Sequence, residues 1–138
     1  MKDWADLIGR IFIAFMFLNE AFDSLFHKTK NIDTLLAYGI DWRPNLLINV
    51  SIVLLVLGGI MVLLGYFSRF GATLLLLYWI PFTIIVYSYW NDPEDLRRFH
   101  ALMFTRNLAI CAGLLFIIAN GSGKFSVRRL IHTLRLPK

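Results

Sequence analysis

The sequence predicts an all-α membrane protein: a four-transmembrane-helix bundle with a short outer-surface helix and a C-terminal amphipathic interfacial helix. Three observations carry this reading. Of the 138 residues, 58% are hydrophobic and only 17% are charged, against roughly 45–50% and about 25% in soluble domains. The apolar residues gather into four runs, each near the ~20 residues needed to cross ~30 Å of hydrocarbon. Basic residues crowd the segment after the last run (Lys124, Arg128, Arg129, Arg135, Lys138), as they do on the cytoplasmic flank of membrane spans. A backbone in hydrocarbon must satisfy its own hydrogen bonds, so the runs are helices rather than strands. A chain of this size makes one domain, 1–138.

The same composition excludes a disordered chain and a nucleic-acid binder built on an exposed basic surface. A single cysteine, Cys111, excludes a disulfide scaffold; set in an apolar run, it reads as a small packing residue. The stretch Met1-Lys2-Asp3-Trp4-Ala5-Asp6 lacks a basic n-region, and no small-residue cleavage site follows. The first run therefore reads as a retained anchor.

The elements follow in order. The first span covers about 7–26. Residues 33–38, stopped by Gly39, form a short helix on the outer surface. The second span, about 46–67, contains Gly58, Gly59 and Gly65, small residues that let membrane helices approach closely. A tight turn around Ser68 and Arg69 leads into the third span, about 70–90, which Pro81 bends. The fourth span, about 99–119, has a marked start: Asp92 as cap, Pro93 at the first helical position, then Glu94 and Asp95 at the positive end of the dipole. It pairs Ala109 with Gly113 as a small-xxx-small motif and ends at Gly121 and Gly123. In the tail, 124–138, Val127, Leu130, Ile131 and Leu134 recur at i, i+3, i+4 and i+7 against Arg128, Arg129, His132 and Arg135. That is an interfacial helix. Trp42, Trp79, Trp90, Tyr87 and Tyr89 read as headgroup-level aromatics.

An even number of spans puts both termini on one side. That side carries Lys2, Arg10, Arg69, Lys124, Arg128, Arg129, Arg135 and Lys138, against Lys28, Lys30, Arg43, Arg97, Arg98 and Arg106 on the other. The bias places both termini in the cytoplasm of a prokaryotic inner membrane.

Charged residues inside apolar spans carry the functional signal, because each costs about 2.5–3.5 kcal/mol on insertion scales and needs a protein or water partner. Glu20, Asp23 and His27 follow i, i+3, i+7 on one face of the first span, flanked by Asn19 and Ser24. Glu20 lies roughly 9 Å below the outer end of its span, at 1.5 Å per residue. Arg106 lies at nearly the same depth in the fourth span, with Asn107 beside it and His100 above. Asn49, Ser51, Thr83 and Tyr87 reach similar levels. The expectation is one polar cluster near the outer leaflet, built on a Glu20/Asp23–Arg106 ion pair. It serves either as a register-fixing pair or as a site for a carbonyl or hydroxyl headgroup, as in a quinone. No histidines stand at metal-ligand spacing.

Gly9-Arg10, Phe17-Leu18 and Leu25-Phe26 in the first span are followed by Gly58-Gly59-Ile60-Met61-Val62-Leu63-Leu64-Gly65-Tyr66-Phe67-Ser68-Arg69. Later come Asn107-Leu108-Ala109-Ile110 and Gly121-Ser122-Gly123-Lys124-Phe125-Ser126. In order and spacing these segments resemble the DoxX family of small four-helix membrane proteins over most of 9–127. The chain departs from the family pattern at Ala21, Ser24, Val53-Leu54-Leu55 and Arg128. The resemblance implies a four-helix bundle and a link to membrane redox chemistry, some members serving thiosulfate:quinone oxidoreductase or oxidative-stress assemblies. The leading expectation is thus an auxiliary subunit of a larger, redox-linked membrane assembly, with other membrane subunits or further copies of itself as partners. The alternatives are a quinone-binding oxidoreductase subunit and a protein that handles lipids or hydrophobic small molecules.

Overall fold

A computed structural model describes residues 1–136. The elements are α1 (Lys2–Phe26), α2 (Lys28–Ala37), α3 (Pro44–Leu64), α4 (Ser68–Val86), a 3₁₀ turn at Tyr89–Asn91, α5 (Glu94–Asn120) and α6 (Val127–Arg135). No strand occurs among the described residues. Among the described residues, three segments are long and apolar enough to cross a membrane: Pro44–Leu64, Ser68–Asn91 and Glu94–Asn120. Helix α1 is long enough, but every stretch of 18 residues within it holds at least three ionisable side chains.

The helices pack in chain order around one core: α1 on α3, α3 on α4, α4 on α5, with α1 and α5 meeting more sparsely. Each buries one stripe at helical spacing. In α1 the stripe is Arg10, Ala14, Phe17, Ala21 and Ser24. In α4 it is Ser68, Gly71, Ala72, Leu75, Trp79 and Thr83, and in α5 Asn107, Cys111, Leu114 and Ile117. Trp79 is therefore not a headgroup-level residue. It lies in the core against Phe17, ring centroids 5.1 Å apart, because its register on α4 repeats that of Leu75.

Helix α3 holds the two neighbouring helices at close range. A Cβ on Gly58 would stand 2.6 Å from Leu75 Cγ and 3.0 Å from the Gly71 carbonyl oxygen of α4. One on Gly59 would stand 3.0 Å from Leu18 of α1. Of the small pair expected in α5, Gly113 admits Ile13 of α1, 3.0 Å from a Cβ placed there, while Ala109 is exposed.

Element boundaries refine the sequence reading. The α3–α4 turn lies at Gly65–Phe67, ahead of Ser68; Gly65 closes α3 at φ +70° and Phe67 takes φ +51°. Helix α2 begins immediately after His27 and so is longer than 33–38. In α5 the cap is Pro93 rather than Asp92. The Asp92 carboxylate instead meets His100 Nδ1.

The first turns of α1 and the segment after α5 share one end of the bundle, joined by a clamp. Arg10 is only 1% exposed. Its Nε donates to Asp6 Oδ2 at 2.9 Å, and its other nitrogens donate to the carbonyls of Val62 (3.4 Å) and Phe125. Asp6 also accepts the Gly123 amide at 3.2 Å, and Lys124 faces Asp3 at 3.6 Å. Arg69 donates to the Ala119 carbonyl at 3.4 Å at the negative end of α5. Glycine leaves room here for these side chains: a Cβ would stand 2.5 Å from Arg10 at Gly65, 2.6 Å from Asp6 at Gly123 and 2.8 Å from Arg69 at Gly121, so each would have to shift.

Candidate ligand pocket

At the other end of the bundle, α1, α2, α3 and α4 border a half-open cavity of about 440 Å³. Its walls are chiefly aliphatic and aromatic side chains of α3 and α4, among them Leu54, Leu77, Pro81, Phe82 and Ile85. Four of these elements contribute polar groups: Glu20 and Ser24 from α1, Asn31 and Thr34 from α2, Ser51 from α3 and Tyr78 from α4. Tyr38, just past α2, donates its hydroxyl to the Val86 carbonyl at 3.2 Å, fastening the roof of the cavity to the end of α4. Volume and lining have the character of a small-molecule site: mostly apolar, with a few fixed polar groups.

Sequence explains this placement. On α1 the buried stripe runs through Ala21 and Ser24, so Glu20, one position before Ala21, falls on its flank and is half-buried. Among the described residues it is the one formally charged group lining the cavity. Its carboxylate has no ion pair or hydrogen bond among the described residues. Ser51 donates to the Leu47 carbonyl at 2.7 Å, which leaves its lone pairs free to accept. Pro81 has no amide hydrogen, so the Leu77 carbonyl one turn earlier loses its helical donor. Both residues line the cavity.

The residues expected to form one cluster are separated. Asp23 is exposed and pairs with His27 at 3.1 Å. Asn19 and Asn49 are exposed and lie outside the cavity lining. Arg106 makes no ion pair with Glu20 or Asp23 and is exposed. The cause is angular: Asn107 lies on the core stripe of α5, and the preceding residue is turned about 100° away from it. Tyr87 and His100 do meet, edge to face, at 5.6 Å between ring centroids. Asn107 is buried, and its Nδ2 has no hydrogen-bond partner among the described residues, as is true of Trp79 Nε1 and Thr83 Oγ1. Of the expected set, Glu20, with the neighbouring Ser24 and Ser51, lines the cavity.

Missed from the sequence were Tyr78, Tyr38, Asn31 and Thr34 in the pocket, and the Asp6–Arg10 clamp at the far end. The i, i+4 spacing of Asp6 and Arg10 was a readable pairing signal. The pocket tyrosines gave none, since tyrosine in a span reads equally well as an interfacial anchor.

A helical bundle in which three of the described segments are long and apolar enough to cross a membrane, with an apolar-walled pocket beside α2, defines an integral membrane protein. The family model described as DoxX matches residues 5–88, which take in most of α1 and all of α2 to α4; the chain belongs to the DoxX family. It is 31% identical over 128 residues to a protein of Schizosaccharomyces pombe named Surfeit locus protein 4 homolog, covering 91% of this chain and 37% of that one. It is 25% identical over 123 residues to inner membrane protein YphA of Escherichia coli, covering 89% and 87% of the two chains. Inner membrane protein YqjF of the same organism is 24% identical over 132 residues, covering 96% and 95%. The chain thus spans just over a third of the fission-yeast relative and nearly all of the bacterial ones. No solved structure matches the chain.

Proposed function

We propose that this protein binds a membrane-dissolved amphiphile with a hydrogen-bonding ring or head and an apolar body, a quinol being the class the pocket fits best. The observation that carries the reading is Glu20: one unpaired carboxylate in a cavity whose other walls are mostly apolar. An ionisable group in that position needs a partner, and a ligand hydroxyl supplies one. The Tyr78 hydroxyl can donate to a ring carbonyl, while Ser51, its proton given to the Leu47 carbonyl, can accept from a ring hydroxyl, and Glu20 accepts a hydrogen bond or a proton from one. A bound quinone would supply two-electron redox chemistry. The chain's own residues would orient the ring, exclude water from it and hold the proton at the Glu20 carboxylate.

In this reading α1 is the fourth span, and both termini lie on the cytoplasmic side of a bacterial inner membrane. The charges that set α1 apart are accommodated: Arg10 in the clamp, Asp23 against His27 and Glu20 at the pocket. The bacterial relatives are named inner membrane proteins. Exposed Arg106, within an otherwise apolar face of α5, favours a role as a subunit beside another membrane protein or a second copy, because a partner carboxylate would relieve its cost in lipid.

The test is binding of a short-chain quinol analogue to the purified full chain. Hydrogen bonds to charged groups contribute about 1.5–3 kcal/mol. Glu20→Gln keeps one acceptor and should therefore weaken binding about tenfold, with helicity unchanged by circular dichroism. Asn49→Ala, outside the cavity, should bind as the parent does. Undiminished binding by Glu20→Gln would remove the carboxylate from the site.

A further inference from the structure

A second cavity, of about 430 Å³, lies at the opposite end of the bundle, where the chain leaves α5 and enters α6. It is lined by Lys124, Arg128, Arg129 and His132, with Ser122, Gly123 and Ser126, and by no carboxylate among the described residues. We propose that it binds the phosphate headgroup of an anionic phospholipid.

Charge comes first. The nearest acids are already engaged: Asp6 is held by Arg10 at 2.9 Å, and Asp3 faces Lys124 at 3.6 Å. Arg128 and Arg129 have no carboxylate partner among the described residues. Two guanidinium groups beside serine hydroxyls match the oxygens of a phosphate, because arginine presents paired donors in a planar fork. The Ser126 hydroxyl already accepts the Arg129 amide at 3.3 Å. The site therefore rests on its side-chain cations and not on the helix end.

The other face of the same helix identifies the source of the phosphate. Leu130 and Leu134 are 60% and 77% exposed, and Leu136 just beyond is 62% exposed. No core covers this stripe. Helix α6 follows the end of a membrane-crossing helix by six residues, 121–126, which puts it at the level where lipid phosphates lie. An interfacial helix sinks its apolar face into the acyl boundary and holds its cations at the phosphates. A free phosphate would match the cations but leave the leucines in water. An anionic phospholipid satisfies both faces.

The experiment is native mass spectrometry of the purified full chain in detergent, titrated with phosphatidylglycerol and with phosphatidylcholine of the same acyl length. Phosphatidylglycerol should be retained selectively. The double substitution Arg128→Gln with Arg129→Gln should weaken that retention by about tenfold or more, since each basic residue near the surface adds appreciably to anionic-lipid attraction. Circular dichroism would show that the variant keeps its helices. If the pair does not fold, Arg129→Gln and His132→Gln singly should each lower phosphatidylglycerol retention and leave phosphatidylcholine unchanged. Equal retention of the two lipids, or variants that keep full phosphatidylglycerol binding, would overturn the proposal. Displacement of the lipid by equimolar inorganic phosphate would also overturn it, assigning the cavity to the free ion. Asn49→Ala, outside both cavities, should leave this readout unchanged.

Discussion

Arg10 shows what a single residue contributes to this fold. Its guanidinium is 1% exposed and forks to the Asp6 carboxylate and to carbonyls that follow α5 and precede the α3–α4 turn. Removing one partner of a buried ion pair typically costs ~3–5 kcal/mol, because the remaining charge is left uncompensated. Asp6 keeps some solvent contact and the Gly123 amide, so Arg10→Met should fall at the low end, about 3 kcal/mol. Arg10→Lys should recover only part of this, since a single ammonium cannot reach three acceptors in the guanidinium's planar geometry. Denaturant titration in mixed micelles measures both. A lysine variant as stable as the parent would mean that charge alone, and not the fork, closes the clamp. The Asp6–Arg10 spacing was legible in the sequence, but the burial was not. It depends on the Phe125 carbonyl returning to Arg10 across 115 residues, and no local pattern encodes that.

At the scale of elements, periodicity was informative and angular position was not. Four apolar runs, the tail stripe and the Gly39 stop all correspond to helices or their ends. By depth alone Glu20 and Arg106 match, but depth leaves out rotation about the helix axis, and one residue of rotation turns Arg106 outward from the stripe of Asn107. The adjacent glycines of α3 are a sharper case, because consecutive positions face different neighbours. Gly58 opposes backbone: its Cβ would stand 3.0 Å from the Gly71 carbonyl oxygen, besides Leu75 at 2.6 Å. Gly59 opposes the mobile end of Leu18, with the nearest backbone atom, the Ala14 carbonyl oxygen, at 3.7 Å. Overpacking costs about 1–3 kcal/mol where nothing can yield. Gly58→Ala should therefore cost about 2 kcal/mol, and Gly59→Ala well under half of that. Equal losses in the same micelle titration would show that α3 and α4 can separate without penalty.

For the whole molecule, the question is how many times the chain crosses the bilayer. Composition alone selects α3, α4 with its 3₁₀ extension, and α5. Three crossings would leave the start of α3 and the end of α5 on opposite sides. Yet α1 begins beside the end of α5, through Asp3–Lys124, Asp6–Gly123 and Arg10–Phe125, and it ends one residue before α2, which packs on α3. Its 25 residues span about 37 Å at 1.5 Å per residue, enough for a hydrocarbon core of ~30 Å. Both facts support α1 as a full crossing. Single-cysteine labelling in a Cys111→Ser background can decide it, using Lys2→Cys, Asp41→Cys and Ser122→Cys with a membrane-impermeant maleimide. With four crossings, positions 2 and 122 react from one side of sealed inner-membrane vesicles and position 41 from the other. With α1 lying along the surface, position 2 would instead share its side with position 41. The basic tail predicts that positions 2 and 122 are the cytoplasmic pair. They should then label in inverted vesicles and stay protected in intact spheroplasts, and the reverse pattern would turn the molecule over while leaving its fold unchanged.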